Sequence, residues 1–105
     1  KSTIKNTKGE FFMSKGIMQF LNKDNILEIW PAKHSKKFEV ISYLSTKFEI
    51  NKIYDEQDVN FILRRWSTYD DYPLLRRSLV DFGFLSRDKY GKEYTLTNNN
   101  NNVKK

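Results

Sequence analysis

Tyr72-Pro-Leu-Leu-Arg-Arg-Ser-Leu-Val-Asp-Phe-Gly-Phe-Leu-Ser-Arg-Asp-Lys-Tyr-Gly-Lys-Glu-Tyr94 is the stretch that decides the fold. Pro73 fixes φ in a first helical turn, and Gly83 permits the left-handed cap that stops a helix. Leu75, Leu79 and Phe82 recur at helical spacing with Val80 at their flank, so one face is apolar. Beyond Gly83 the pattern changes to two short extended runs, Phe84 to Arg87 and Glu93 to Thr97. They are separated by Asp88-Lys-Tyr-Gly-Lys92, where Gly91 can supply the positive φ of a turn. A helix running straight into a tight hairpin, after two earlier helices, predicts a winged-helix arrangement.

The chain upstream supplies those helices. Asp55 stands three residues before Asp58, the spacing of a capping box, and Val59, Ile62, Leu63 and Trp66 form one stripe of the helix that follows. Ser67 to Asp71 is a connector in which Asp70 or Asp71 caps the next helix. Ile53-Tyr54 reads as a short strand. Ser35 is placed as the cap of a helix running to about Phe48, with Phe38, Ile41, Leu44 and Phe48 facing inward and Lys36, Lys37 and Lys47 in water. Ile17 to Leu21 has helical character and stops at the turn chemistry of Asn22 to Asn25, and Pro31 holds the residue before it extended. The whole describes an α+β domain with three main helices, a C-terminal β-hairpin wing and an N-terminal helical extension. One winged-helix-like domain is expected over residues 13–97, between a flexible basic arm at 1–12 and a disordered Asn-rich tail at 98–105.

Composition bounds the rest. A chain of 105 residues holds one modest core. Apolar residues make up 38% and aromatics 15%, so large rings must carry much of the burial. With no cysteine, disulfides, thiolate nucleophiles and cysteine-based zinc sites are excluded. No apolar run approaches the roughly 18 residues of a membrane span, and a soluble, cytoplasmic protein without membrane contact is expected. The formal charge is +6, which favours polyanions as partners. That excess is divided unevenly, +4 in residues 1–50 and +2 in 51–105.

Four segments in order carry a likeness: Pro31-Ala32-Lys33, Phe48-Glu49, Tyr54 to Asn60, and Leu75 to Arg87. Together, over about residues 17–96, the chain resembles a bacterial domain-of-unknown-function family often fused to ArsR-type winged-helix transcriptional regulators or to acetyltransferases. The resemblance implies a winged-helix-like fold and an association with transcriptional control; it brings no known biochemical activity.

Candidate residues sort by face. At roughly 100° per residue from Leu75, Arg76 falls between the core side and Val80, while Arg77 points to solvent. Arg76 therefore reads as a structural clamp whose guanidinium forks onto a carboxylate at the start of the preceding helix, such as Asp55, Glu56 or Asp58. Arg77 has two readings: a contact to a phosphate or a guanine edge from a helix lying in the major groove, or a surface pair with Asp81. From Asp70 to Asp81 three acids face two bases, a net charge of −1 that is unusual for a helix entering a groove. Arg87, Lys89 and Lys92 on the hairpin offset it. Lys36 and Lys37 belong to the densest basic cluster, Lys33 to Lys37, which either binds phosphate at a helix start or is a solvated end.

Catalysis has little to stand on. His34 is the only histidine and cannot face its neighbour Ser35 in a helix; the acids near Asp55 have capping roles; and the four glycines form no phosphate loop. The expectation is a non-catalytic DNA-binding transcriptional regulator domain needing no cofactor or metal. Its duplex contacts would be Arg77, Arg87, Lys89, Lys92, Lys36 and Lys37, and charge reversal at Arg77 would weaken binding more than at Lys104. The alternative is a protein-interaction or oligomerisation module that packs on a regulator partner or a second copy through exposed apolar residues such as Phe61 or Leu74.

Overall fold

A computed structural model describes residues 15–97; the basic arm at 1–12 and the Asn-rich tail lie outside the described residues. Four helices and three strands follow one another as α1 (Lys15–Met18), α2 (His34–Ser45), β1 (Ile53–Tyr54), α3 (Glu56–Trp66), α4 (Tyr72–Asp81), β2 (Leu85–Arg87) and β3 (Tyr94–Leu96). The strands form one antiparallel sheet in the order β1-β3-β2. Tyr54 stands opposite Tyr94, and Leu85 opposite Leu96. This is a small α+β domain.

The α3–α4 pair forms as its local chemistry dictates. The Asp58 N–H donates to Asp55 Oδ1 at 2.7 Å and the Asp55 N–H donates to Asp58 Oδ2 at 3.1 Å, a reciprocal box that satisfies two donors at the start of α3. At the start of α4 the Asp71 carboxylate accepts from the Leu74 N–H at 3.2 Å, and Pro73 occupies the first turn, where a missing N–H costs nothing. The end of α4 is a Schellman closure. Gly83 donates to the Val80 carbonyl, Phe84 to the Leu79 carbonyl, and Gly83 itself takes φ of 88°. The Thr97 hydroxyl then donates to the Gly83 carbonyl, so the outgoing strand is tied to the cap that launched the hairpin.

The core sits where α2, α3 and α4 meet the sheet. Val40, Ile41 and Leu44 from α2, Val59 and Leu63 from α3, and Leu75 and Leu79 from α4 are buried with Leu85, Tyr54 and Tyr94 from the strands. Each buried aliphatic side chain contributes about 1.5–3 kcal/mol against exposure. Leu27 is the seam: its N–H donates to the Trp66 carbonyl at 2.9 Å and its carbonyl accepts from Thr68 at 2.8 Å, so the segment before α2 is laced to the α3–α4 connector.

Several expectations are corrected here. Ser35 lies inside α2; Lys33 holds the cap position with extended backbone, no side chain caps it, and its carbonyl accepts from Lys36 and Lys37. The helix ends at Ser45, before Phe48, which is nevertheless buried. Phe38 is 45% exposed, its ring resting at 5.4 and 5.3 Å on Phe82 and Phe84, while Tyr43 takes an inner place and donates its hydroxyl to the Asn25 carbonyl at 2.8 Å. The N-terminal helix occupies Lys15–Met18, and Leu21 instead bridges antiparallel to Leu27. For Phe38, Tyr43 and Leu21 a partner beyond the local period decided the outcome.

Candidate functional site

Pro73, Arg77 and Asp81, spaced by four, form the exposed ridge of α4. Concave surfaces flank it. Between α4 and the hairpin runs a groove of about 400 Å³ to which Arg76, Arg77, Val80, Arg87 and Tyr94 contribute. Towards the hairpin tip, Val80, Arg87, Lys89 and Tyr90 shape a second hollow of about 540 Å³. On the opposite flank, between α4 and α2, lies a cleft of about 360 Å³ walled by Trp30, His34, Leu74 and Phe82, with Lys37, Ser78 and Asp81.

Arg76 is a clamp, and of the three carboxylates expected for it the guanidinium meets Glu56, not Asp55 or Asp58. Its side chain is only 17% exposed; one nitrogen donates to Asn60 Oδ1 at 2.6 Å and the other lies 3.6 Å from Glu56. Asp55 and Asp58 are occupied by each other's backbone N–H groups, which leaves Glu56 and Asn60, one turn apart, to meet the guanidinium. Arg77 stands 80% exposed beside Asp81, Nε to Oδ2 3.7 Å. Such a pair is screened by water and holds the arginine loosely.

The hairpin is held by Asp88. Its carboxylate accepts from the N–H groups of Lys92 at 2.7 Å and Glu93 at 3.0 Å, and its carbonyl accepts from Gly91 at 3.0 Å, with Gly91 at φ of 71°. Backbone donation from Glu93 above all, joined by that from Lys92 and Gly91 and by the Lys92 charge, outweighs the opposing effect of burial and holds the Asp88 carboxyl below the usual aspartate range. Arg87 ends β2 and is exposed; Lys89 Nζ lies 5.3 Å from the Tyr90 ring. Neither makes an ion pair among the described residues.

The proposed contacts therefore do not form a single patch. Arg77 and Arg87 share the groove, and Lys89 adjoins Arg87 in the tip hollow. Lys92 is exposed in the hairpin loop. Lys36 and Lys37 sit on α2; Lys36 pairs with Glu39 at 3.5 Å, and Lys37 Nζ lies 5.9 Å from the Trp30 ring in the opposite cleft. Lys47 is not the wet lysine expected. Its ammonium rests 3.8 Å from the Trp66 ring and 4.6 Å from that of Tyr43, and burial lowers its pKa. The Tyr43 neighbour was readable as a four-residue helical spacing; Trp66 had no local signal. Trp30 and Ser78 belong to no motif, although a serine on the apolar stripe between Leu75 and Leu79 is itself a sign.

Among the described residues no group of three His, Cys, Asp or Glu side chains could hold a metal ion, and no helix is long and apolar enough to cross a membrane. A family model, described as an uncharacterized protein conserved in bacteria (DUF2087), matches residues 26–96, from the Leu27 seam through β3. No curated protein and no solved structure matches the chain.

Proposed function

Because the chain belongs to the bacterial family DUF2087, described as uncharacterized, its function has to be read from its own geometry, and we propose that it is a non-catalytic winged-helix domain that binds duplex DNA. The observation that carries this is the groove shared by Arg77 of α4 and Arg87 of β2. In this reading α3 and α4 are the helix-turn-helix pair, α4 enters the major groove, and the β2–β3 hairpin is the wing that follows the backbone. The sheet order, with β1 from before α3 pairing with the returning strand β3, supports it.

Charge assigns the labour. Arg76 is neutralised by Glu56 and Arg77 is loosely held by Asp81, whereas Arg87, Lys89 and Lys92 on the wing make no ion pair among the described residues. A phosphate can take Arg77 from Asp81 because the exposed pair is worth little. The wing supplies backbone affinity, and Arg77 supplies the contact nearest the bases. A role in transcriptional control in the cytoplasm goes with this reading.

Anisotropy titration of a labelled 20-base-pair duplex, in low and in near-physiological salt, tests it. Affinity should fall as salt rises, and Arg77→Glu and Arg87→Glu should each weaken binding more than Lys104→Glu, each lost phosphate contact reducing the salt slope by about 1. Absence of binding to any duplex at low salt overturns the proposal.

One observation favours a second reading, a module that docks on a regulator partner or a second copy: Phe61 on α3 is 66% exposed and Ile53 at the sheet edge is also bare. Light scattering should then report a dimer that Phe61→Ser dissolves. A monomer at high concentration removes the homodimer form of this reading.

A further inference from the structure

We propose that the cleft between α2 and α4 is a binding site for a small planar aromatic carboxylate. It lies on the flank of α4 away from the hairpin, and of the duplex contacts expected from the sequence only Lys37 lines it.

Three features point to that ligand. Trp30, His34 and Phe82 place aromatic rings on the walls, with the His34 and Phe82 rings 5.2 Å apart and Trp30 stacked at 6.1 Å on Tyr69, which does not line the cleft. Flat rings in the wall favour a flat ring in the cleft. Lys37 is the uncommitted cation. Its neighbour Lys36 takes Glu39, Asp81 on the cleft rim is engaged by Arg77 at 3.7 Å, and Lys37 makes no ion pair among the described residues. Its ammonium, 5.9 Å from the Trp30 ring, has no carboxylate of its own among them and can take an incoming one.

The third feature is Ser78. It is 9% exposed, it lines the cleft, and its hydroxyl makes no hydrogen bond among the described residues. A buried hydroxyl without a partner costs stability that an alanine at the same place would not, so its presence calls for a partner. A ring N–H or carbonyl of a bound ligand meets that need, because a hydroxyl donates and accepts. The volume, about 360 Å³, lies at the small end of ligand sites and suits one fused bicyclic ring with its acid group.

The test uses the full chain and no DNA, so it fails or succeeds independently of the proposed function. Indole-3-carboxylate, indole-3-carboxamide and cyclohexanecarboxylate are titrated by calorimetry and by two-dimensional NMR. Indole-3-carboxylate should bind saturably and shift the Trp30 indole N–H and the backbone amides of Ser78 and Phe82. The carboxamide and the non-planar acid should each bind about tenfold more weakly. Lys37→Gln should erase the advantage of the acid over the amide, and Ser78→Ala should weaken both indoles about threefold while the protein stays folded. Equal affinity for acid and amide in the unmodified chain, shifts confined to another surface, or no binding of any probe at millimolar concentration would each overturn the proposal.

Discussion

The Arg76 guanidinium donates to Asn60 Oδ1 at 2.6 Å and lies 3.6 Å from Glu56, so one side chain of α4 grips a full turn of α3. Removing it leaves the half-buried Asn60 amide without its partner. Arg76→Ala should cost about 1.5–3 kcal/mol, the range for hydrogen bonds to charged groups, and lower the melting temperature accordingly. Glu56→Gln should cost much less, since that carboxylate is more than half exposed. A double-mutant cycle with Asn60→Ala measures the coupling; additivity of the two single losses would show that the contact does not hold the helices together.

Asp55→Ala should destabilise the domain by about 1 kcal/mol through loss of the cap on α3. Asp55→Asn, which keeps an acceptor for the Asp58 N–H, should recover most of it. For a domain of this size the alanine change corresponds to roughly 4–8 °C in thermal unfolding.

The pH dependence of the hairpin follows from Asp88. Its carboxyl is held below its unfolded value, chiefly by the Glu93 N–H, so the folded state binds fewer protons in the interval between the two values. The stabilising contribution is complete above the ordinary aspartate range and is lost as pH falls through the depressed folded value. The Lys92 and Glu93 amide signals should therefore move together on acidification, with a midpoint below the ordinary aspartate range, and Asp88→Asn should remove the transition.

Gly91→Ala should cost about 1 kcal/mol. The added methyl group would meet nothing closer than the Arg87 Cδ at 3.9 Å, an ordinary contact, so the penalty is the positive φ alone. Gly91→Asn should cost less, because asparagine tolerates the left-handed region better. Chemical denaturation of the two variants distinguishes them, and equal losses would point to packing instead.

Local chemistry was readable wherever the interacting groups are neighbours in the chain. The capping box of α3, the Pro73 start and Gly83 stop of α4 and the hairpin turn at Gly91 all involve partners within about six residues, and sequence spacing places such groups with little ambiguity. The site was less legible. Arg77 and Arg87 could be named as candidates from their elements, but nothing in their spacing showed that one groove holds them or that Lys37 lies on the other flank.

By itself the sequence determined that three main helices form, where α3 begins and α4 stops, and that a hairpin follows Gly83, because caps, prolines, glycines and apolar periods act over a single turn. Only the tertiary structure decided the rest. Leu27 is laced to Trp66 and Thr68 some forty residues away, β1 pairs with β3 rather than standing alone, Arg76 turns to Glu56 and Asn60 once Asp55 and Asp58 have capped each other, and Lys47 leaves water for two aromatic rings. Each is a choice among competing partners, and such choices are settled by which groups the packed core brings within reach, a quantity that no local window of sequence contains.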